Sequence, residues 1–425
     1  MQTRIDPPRC EWQALIARPA MGRQALDATI QSLFEQVQKG GDSALLALTE
    51  KYDGVKLTEV NVPIRSEAEE GSVLNAEPKR AIDTAYLNIS KFHRAQVDSE
   101  VVRVETQPGV VCWQESRAIE RVGLYIPGGS APLISTMLML GVPAQLAGCK
   151  NIVVCTPPDK SGQINTAIRY AAAKCGVSQL YALGGAQAVA AMTIGTETVP
   201  KVHKLFGPGN QYVTAAKEYA ERYGVAKDMP AGPSEVLVLA DETAPAEFVA
   251  ADLLSQAEHG PDSQVVLVTT SRPVQNEVEK ELNRQIQLLE RREIAGRALE
   301  NSLSVYFPQL ETAVAFANAY APEHWIIETT QAEVWAERVQ NAGSVFVGPY
   351  TPESAGDYAS GTNHTLPTAG WARTYSGVSV ASFQKRVTFQ EITRAGLAGL
   401  VPSIVALAEA EGLAAHTRAV SIRLG

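Results

Sequence analysis

Two short strings hold the residue types that metal and acid–base chemistry require. The first is Ser255-Gln256-Ala257-Glu258-His259-Gly260, at the end of a predicted helix. Thr243 can cap that helix near Pro245, and Gly260-Pro261 ends it. At about 100° per residue, Val249, Ala250, Leu253, Leu254 and Ala257 gather on one side and Asp252, Gln256 and His259 on the other. Gln256 and His259 then stand one turn apart, off the apolar stripe, as a platform of oxygen and nitrogen donors for a borderline metal such as zinc. Taken alone, such a pair is more often solvated surface. The second string is Ala321-Pro322-Glu323-His324-Trp325, at the entrance to a predicted strand. Burial and neighbouring charges can tune a glutamate and a histidine toward neutral pH, so the two form a candidate acid–base pair. They also fit a plain strand edge with a solvated Glu and a half-buried His.

Asp357, in Ser354-Ala355-Gly356-Asp357-Tyr358, falls on a predicted loop of small residues beyond the strand Ser344 to Val347. It is a hard oxygen donor there, or an ordinary turn aspartate. His416 lies in an Ala-rich tail where a structural histidine is the default, and Asn363-His364 reads as part of a structured loop. Three glycine turns follow predicted strands: Gly128-Gly129-Ser130, Gly184-Gly185-Ala186-Gln187 and Gly207-Pro208-Gly209-Asn210. Glycine lets backbone N–H groups approach a phosphate, and the following helix N-terminus adds positive potential. None matches G-x-G-x-x-G, since Tyr212 occupies the third glycine position of the nearest candidate. Each turn alone fits a tight loop; three in one sheet bring a nucleotide site level with that reading.

The elements that must position these residues are legible as well. Short β-branched runs start near Val122, Ile152, Leu180, Lys204, Val236, Val265, Leu303, Trp325 and Val345, each followed by a turn and a helical pattern. That alternation predicts parallel α/β sheets, and nine strands exceed one ordinary sheet. The expected fold is therefore α/β, with two Rossmann-like parallel-sheet domains and a small helical C-terminal extension. The expected boundaries are an arm over 1–20, a discontinuous domain over 21–119 and 232–380, a second domain over 120–231, and a tail over 381–425. The helical stretches Gln24 to Gln38, Ser43 to Tyr52 and Pro78 to Ala95 are expected to pack on the sheet that starts at Val236.

Composition narrows the function. The 425 residues are 45% hydrophobic and 20% charged, the balance of a folded globular chain rather than a disordered one. With 37 Lys and Arg against 46 Asp and Glu, the net charge is −9, and no basic cluster invites nucleic acid. The uncharged run Ile126 to Cys149 is interrupted by Pro127, Pro132 and Pro143, so it reads as a loop feeding a buried helix rather than a membrane span. Five cysteines without C-x-x-C spacing argue against a disulfide framework or a thiolate zinc site and favour a reducing cytoplasm. The first ten residues lack the apolar core of a secretory signal.

Several strings, in order along most of the chain, carry a family resemblance. Ala231-Gly232-Pro233-Ser234-Glu235-Val236-Leu237, the Gln256 and Glu323 strings, Ser354 to Tyr358 and Asn363-His364-Thr365-Leu366-Pro367-Thr368 resemble histidinol dehydrogenase. The resemblance implies zinc- and NAD-dependent oxidation of L-histidinol, through L-histidinaldehyde, to L-histidine. It implies Gln256, His259, Asp357 and His416 as ligands of one Zn²⁺ per subunit, and Glu323 and His324 as the catalytic acid–base pair. These six residues, with Ser234 and Glu411, match the family's substrate contacts. Tyr125, Gln187 and Asn210 match its NAD contacts. It further implies a homodimer whose C-terminal tail completes the partner's site, with no nucleic-acid or membrane partner. The rival readings are a dehydrogenase of another amino alcohol or polyol on the same scaffold, a zinc hydrolase in which Glu323 or Glu258 activates water, and a non-catalytic metal-binding module.

Overall fold

The computed structural model describes residues 1–18, 23–97, 100–128, 132–230 and 232–425. The predicted turn residues Gly129 and Ser130, and Ala231 of the string before Gly232, lie outside them. All nine expected strands form, and they divide into two sheets as the sequence predicts. In one, Arg121–Tyr125 is central, with Asn151–Thr156 and Gln179–Ala182 on one side and Lys204–Phe206 and Ala226–Lys227 on the other, all parallel. In the other, Glu235–Ala240 is central between Gln264–Thr269 and His324–Glu328. Leu303–Tyr306 and Gln2–Ile5 extend it one way and Ser344–Val347 the other, again all parallel. Every residue of Glu235–Ala240, Gln264–Thr269 and His324–Glu328 is buried. Strands covered by helices on both faces read as unbroken apolar runs, and for that reason they were legible.

The N-terminal helices correct an expectation. Arg23–Asp53, kinked at Gly41, and Ala76–Arg94 pack on the sheet around Arg121–Tyr125 and not on the one containing Val236. Ile30, Leu33 and Phe34 join a core with Val153, Tyr181 and Leu183, while Ile82 and Ile89 join one with Leu138 and Leu140. The physical reason is the strand Asn61–Pro63, which follows the first helix closely and pairs antiparallel with Gln179–Ala182, tying the whole segment to that sheet. The run after Ile126 does feed a buried helix, Ile134–Leu146.

A third, antiparallel sheet was not anticipated: Arg103–Gln107, Val110–Ala118 and Gln384–Ile392. The expected helical tail thus begins with a strand, and two helices follow, Arg394–Ala410 and Ala414–Leu424, broken at Gly412, whose φ is +73°. Among the described residues no helix is long and apolar enough to cross a membrane, and the five cysteines are free thiols.

Candidate active site

Helix Ala246–Ala257 buries Val249, Leu253 and Ala257 against the sheet of Glu235–Ala240, as its apolar stripe predicts. Thr243 does not cap it. Asp241 accepts from both the N–H and the Oγ–H of Thr243, and Pro245 takes the N-cap position. The helix returns the chain to the amino end of the sheet, where Gln256 is buried and His259 turns back through its N–H to the Gln256 carbonyl at 3.2 Å. At the same end, strand His324–Glu328 runs beside Glu235–Ala240 with His324 opposite Val236. Glu323 and His324 are only 7% and 3% exposed, which rules out a solvated strand edge.

Asp357 lies on a short helix, Glu353–Tyr358, where the sequence predicts a loop. Gly356 permits this: a Cβ there would come within 2.6 Å of the Phe346 ring, so only glycine lets the helix settle on strand Ser344–Val347. The helix brings in Glu353, a residue the sequence reading missed. Ligand atoms of His259, Glu353 and Asp357 lie within 4.8 Å of one another. The Gln256 amide, oriented so that both its ends are satisfied, donates to Glu353 Oε1 at 2.6 Å and accepts from the Glu235 N–H at 3.1 Å. His324 Nε2 stands 3.4 Å from Asp357 Oδ1, and Glu323 Oε2 is 3.7 Å from His324 Nδ1.

Charges in this pocket are strongly coupled. Burial pushes the Glu323 and Glu353 carboxyls up to about 8. Burial would push His324 down, but Glu353, Glu323 and Asp357 together raise it to about 10. Three buried acids crowd one imidazole, and full ionisation of all three is costly unless a cation joins them. Glu353 Oε2, Asp357 Oδ1 and His324 Nε2 are buried atoms without a hydrogen-bond partner. Such orphans, with an all N/O donor set, fit a divalent cation of borderline softness.

Of the four predicted ligands, Gln256, His259 and Asp357 therefore converge. His416 does not join them within the protomer: it is exposed on helix Ala414–Leu424, which packs on Arg394–Ala410, and Glu411 is exposed in the turn before it. Ser234 is half-buried at the edge of the site, one residue before Glu235.

Tyr125, Gln187 and Asn210 lie at the carboxyl ends of the other sheet, where strand order reverses on either side of Arg121–Tyr125. In parallel sheets nucleotides bind at such a switch point. The Tyr125 hydroxyl accepts from the Gly185 N–H at 3.0 Å, Gln187 donates to Asp53 at 3.2 Å, and Asn210 caps helix Gln211–Ala220. Gly207 has φ +128°, and a Cβ on it would fall 2.2 Å from the Tyr125 carbonyl oxygen, so the turn and Tyr125 are built as one unit. His364 links the two regions: Nδ1 is 2.9 Å from the Asp357 carbonyl and Nε2 3.2 Å from Thr136 in the first turn of Ile134–Leu146. That helix starts beyond Tyr125, so the nucleotide-type crevice and the carboxylate cluster adjoin.

A two-sheet parallel α/β scaffold with a nucleotide-type crevice, an acid–base pair and a cation-type cluster has the parts of an enzyme site, and the matches below make the class oxidoreductase. Comparison with known proteins makes the class particular. The sequence profile of histidinol dehydrogenase matches residues 16–424, and the chain belongs to the histidinol dehydrogenase family. It is 53% identical over 418 residues to the histidinol dehydrogenase of Bacteroides thetaiotaomicron, covering 98% of this chain and 97% of that one. It is likewise 53% identical over 414 residues to that of Vibrio parahaemolyticus, covering 97% and 95%. The crystal structure of histidinol dehydrogenase from Elizabethkingia anophelis superposes with a TM-score of 0.96 at 52% identity, covering 100% of this chain and 98% of that one.

Proposed function

We propose that this protein carries out a four-electron oxidation of L-histidinol, through L-histidinaldehyde, to L-histidine, the last step of histidine biosynthesis, using one Zn²⁺ per subunit and two molecules of NAD. The observation that carries the reading is the meeting of Gln256, His259, Glu353 and Asp357 beside Glu323 and His324, in a chain that matches its relatives from end to end. Gln256, His259 and Asp357, with His416 of the partner subunit, would hold the metal. Tyr125, Gln187 and Asn210 would hold NAD, and Ser234 and Glu411 would contact the substrate. Bound zinc supplies a Lewis-acidic anchor for the imidazole nitrogen and amine of histidinol, and NAD supplies the hydride acceptor that a redox-inert ion cannot be.

The remaining steps belong to the chain. His324 Nδ1 lies 3.1 Å from the Glu235 carbonyl, which can only accept, so Nδ1 carries a proton; a cation that offsets the carboxylates holding the ring protonated would leave Nε2 as its basic atom. His324 Nε2 takes the hydroxyl proton as hydride leaves the carbinol carbon. Glu323, whose carboxyl burial pushes up to about 8, takes in its ionised form a proton from the water that adds to the aldehyde. His324, once it has passed the first proton to solvent, accepts the one released in the second oxidation. Burial of both side chains keeps bulk water from competing.

The same reading makes the protein a cytoplasmic homodimer in which each tail completes the partner's site; the exposure of His416 and Glu411 within one protomer supports this. Mixing protein, NAD and L-histidinol should raise NADH absorbance with two NADH per histidinol consumed, and a simple alcohol in a parallel cuvette should not. An absence of NADH with histidinol in zinc-loaded protein would reject the reading.

A further inference from the structure

The pair that performs proton transfer is held from both sides by one residue that does not itself face the substrate. Glu235 is the first residue of the central strand Glu235–Ala240. Its backbone N–H donates to Glu323 Oε2 at 2.9 Å, and its backbone carbonyl accepts from His324 Nδ1–H at 3.1 Å. One peptide position thus fixes the carboxylate and sets the tautomer of the imidazole. Its N–H also faces the Gln256 carbonyl.

A backbone at the end of a strand positions its neighbours only as well as it is itself held. Here the anchor is the Glu235 side chain, 2% exposed. Arg18 grips it with a two-pronged bond, Nε to Oε1 and Nη2 to Oε2, both 2.9 Å, and the Ala369 N–H adds a third at 2.9 Å. The guanidinium is fixed in turn: Nη1 donates to the Ile16 carbonyl at 3.0 Å, and the plane lies 3.7 Å from the centre of the Tyr320 ring. The Tyr320 hydroxyl donates to Gln264, whose backbone N–H binds the Ser234 carbonyl. A fork-to-fork guanidinium–carboxylate bond defines both distance and orientation, which a lysine ammonium cannot do.

We infer that Glu235, clamped by Arg18, is the positioning residue of the Glu323–His324 pair. The inference rests on the reading that this pair does the proton transfer. Residues that orient reacting groups act on the transition state more than on ground-state binding, so kcat falls while KM holds. Loss of Arg18 leaves the Glu235 carboxylate buried with only the Ala369 N–H, 2.9 Å from one of its oxygens, and frees the strand end to shift.

The test uses full-length, zinc-loaded protein with four variants: Arg18→Ala, Glu235→Gln, His324→Asn and Glu323→Gln. Arg18→Ala is expected to lower kcat for histidinol about 10- to 100-fold, the usual range for partners that orient a site, with KM within about twofold and the thermal transition still cooperative. Millimolar guanidinium, which can refill the vacated position, should restore a large part of that kcat. Glu235→Gln keeps the backbone and an acceptor for Ala369, so it should fold even if Arg18→Ala does not, and should lower kcat about 3- to 10-fold by the same reasoning. A strut with no role in positioning would instead lower the melting temperature, leave kcat per folded site at the parent value and show no rescue; that result overturns the inference. If His324→Asn retains parent activity with histidinol, and Glu323→Gln with supplied histidinaldehyde, the reading of the pair fails. If each of the two is inactive on that substrate while Arg18→Ala and Glu235→Gln match the parent kcat, the positioning role alone fails.

Discussion

Glu353 and Asp357 lie one turn apart on helix Glu353–Tyr358, and both carboxylates come within 4.8 Å of a ring nitrogen of His259. Glu353 Oε2 has no partner although it is buried, while Oε1 holds the Gln256 amide. Glu353 would therefore either donate to the proposed metal directly or orient a residue that does. Glu353→Gln should weaken zinc binding about 10- to 100-fold, read by competition against a chromophoric chelator. The parent should lose activity on dialysis against a chelator and regain it with zinc. A Glu353→Gln protein with parent affinity, measured beside a weakened His259→Ala, would remove Glu353 from the site.

The two oxidations should separate genetically. His324 serves both proton removals in the proposed sequence, whereas Glu323 serves only the hydration between them. His324→Asn should lower both oxidations about 100- to 10,000-fold, with zinc content unchanged. Glu323→Gln should slow histidinol oxidation little and oxidation of supplied histidinaldehyde strongly. Equal losses in the two half-reactions would assign Glu323 to positioning rather than to water activation.

A pH-dependent prediction concerns the N-terminal segment, away from the site. Glu70, on helix Glu67–Ser72, is almost fully buried and receives Arg169 from helix Thr166–Lys174. The hydrogen bond from Arg169 holds its carboxyl below the usual range, against the opposing effect of burial. A depressed folded value means that the unfolded chain binds the proton more readily. The stabilisation is complete above the unfolded carboxyl value of about 4.3 and is lost as pH falls through the folded one. Arg169→Met should cost about 1–3 kcal/mol at neutral pH, and the gap from the parent should narrow once pH drops below about 4. Urea midpoints at the two pH values measure this. A gap that stays constant would assign the loss to packing of the arginine stem.

What the sequence disclosed and what it hid divide along physical lines. The central strands of the two parallel sheets are buried on both faces and read as apolar runs; Gln2–Ile5 is exposed along its length, and Ala226–Lys227 is too short for any pattern to show. Val110–Ala118 and Gln384–Ile392 are half-exposed, mixed in composition and far apart in the chain, so their pairing has no local signature. In the site, Gln256 with His259 and Glu323 with His324 are close in sequence and were found as pairs. Glu353 has a legible relation to Asp357, four residues on, but only if the segment is taken as helix, and the small residues Ser354, Ala355 and Gly356 argued for a loop. Arg18 and Glu235 carry no local clue, because their meaning arises from a contact 217 residues apart.

The tail supplies the last prediction, because it decides whether the site is built from one chain or two. His416, on helix Ala414–Leu424, and Glu411, in the turn before it, are exposed in the protomer; the start of the preceding helix Arg394–Ala410 touches Gln107 and Gly109. If each tail serves the partner, Asp357→Ala damages only the catalytic body and His416→Ala only the tail, and each homodimer is inactive. In a mixed dimer, one site combines the intact body of the His416→Ala chain with the intact tail of the Asp357→Ala chain, and the other combines both lesions. Random reassortment makes half the dimers mixed and half of their sites whole, so the co-refolded pair should recover about one quarter of parent activity per site. A tail that folds back on its own body leaves every site with one lesion, and the mixture then stays as inactive as its components. Activity of co-expressed, doubly tagged heterodimers, purified through both tags, distinguishes the two arrangements directly: one working site per dimer in the exchanged form, none in the other.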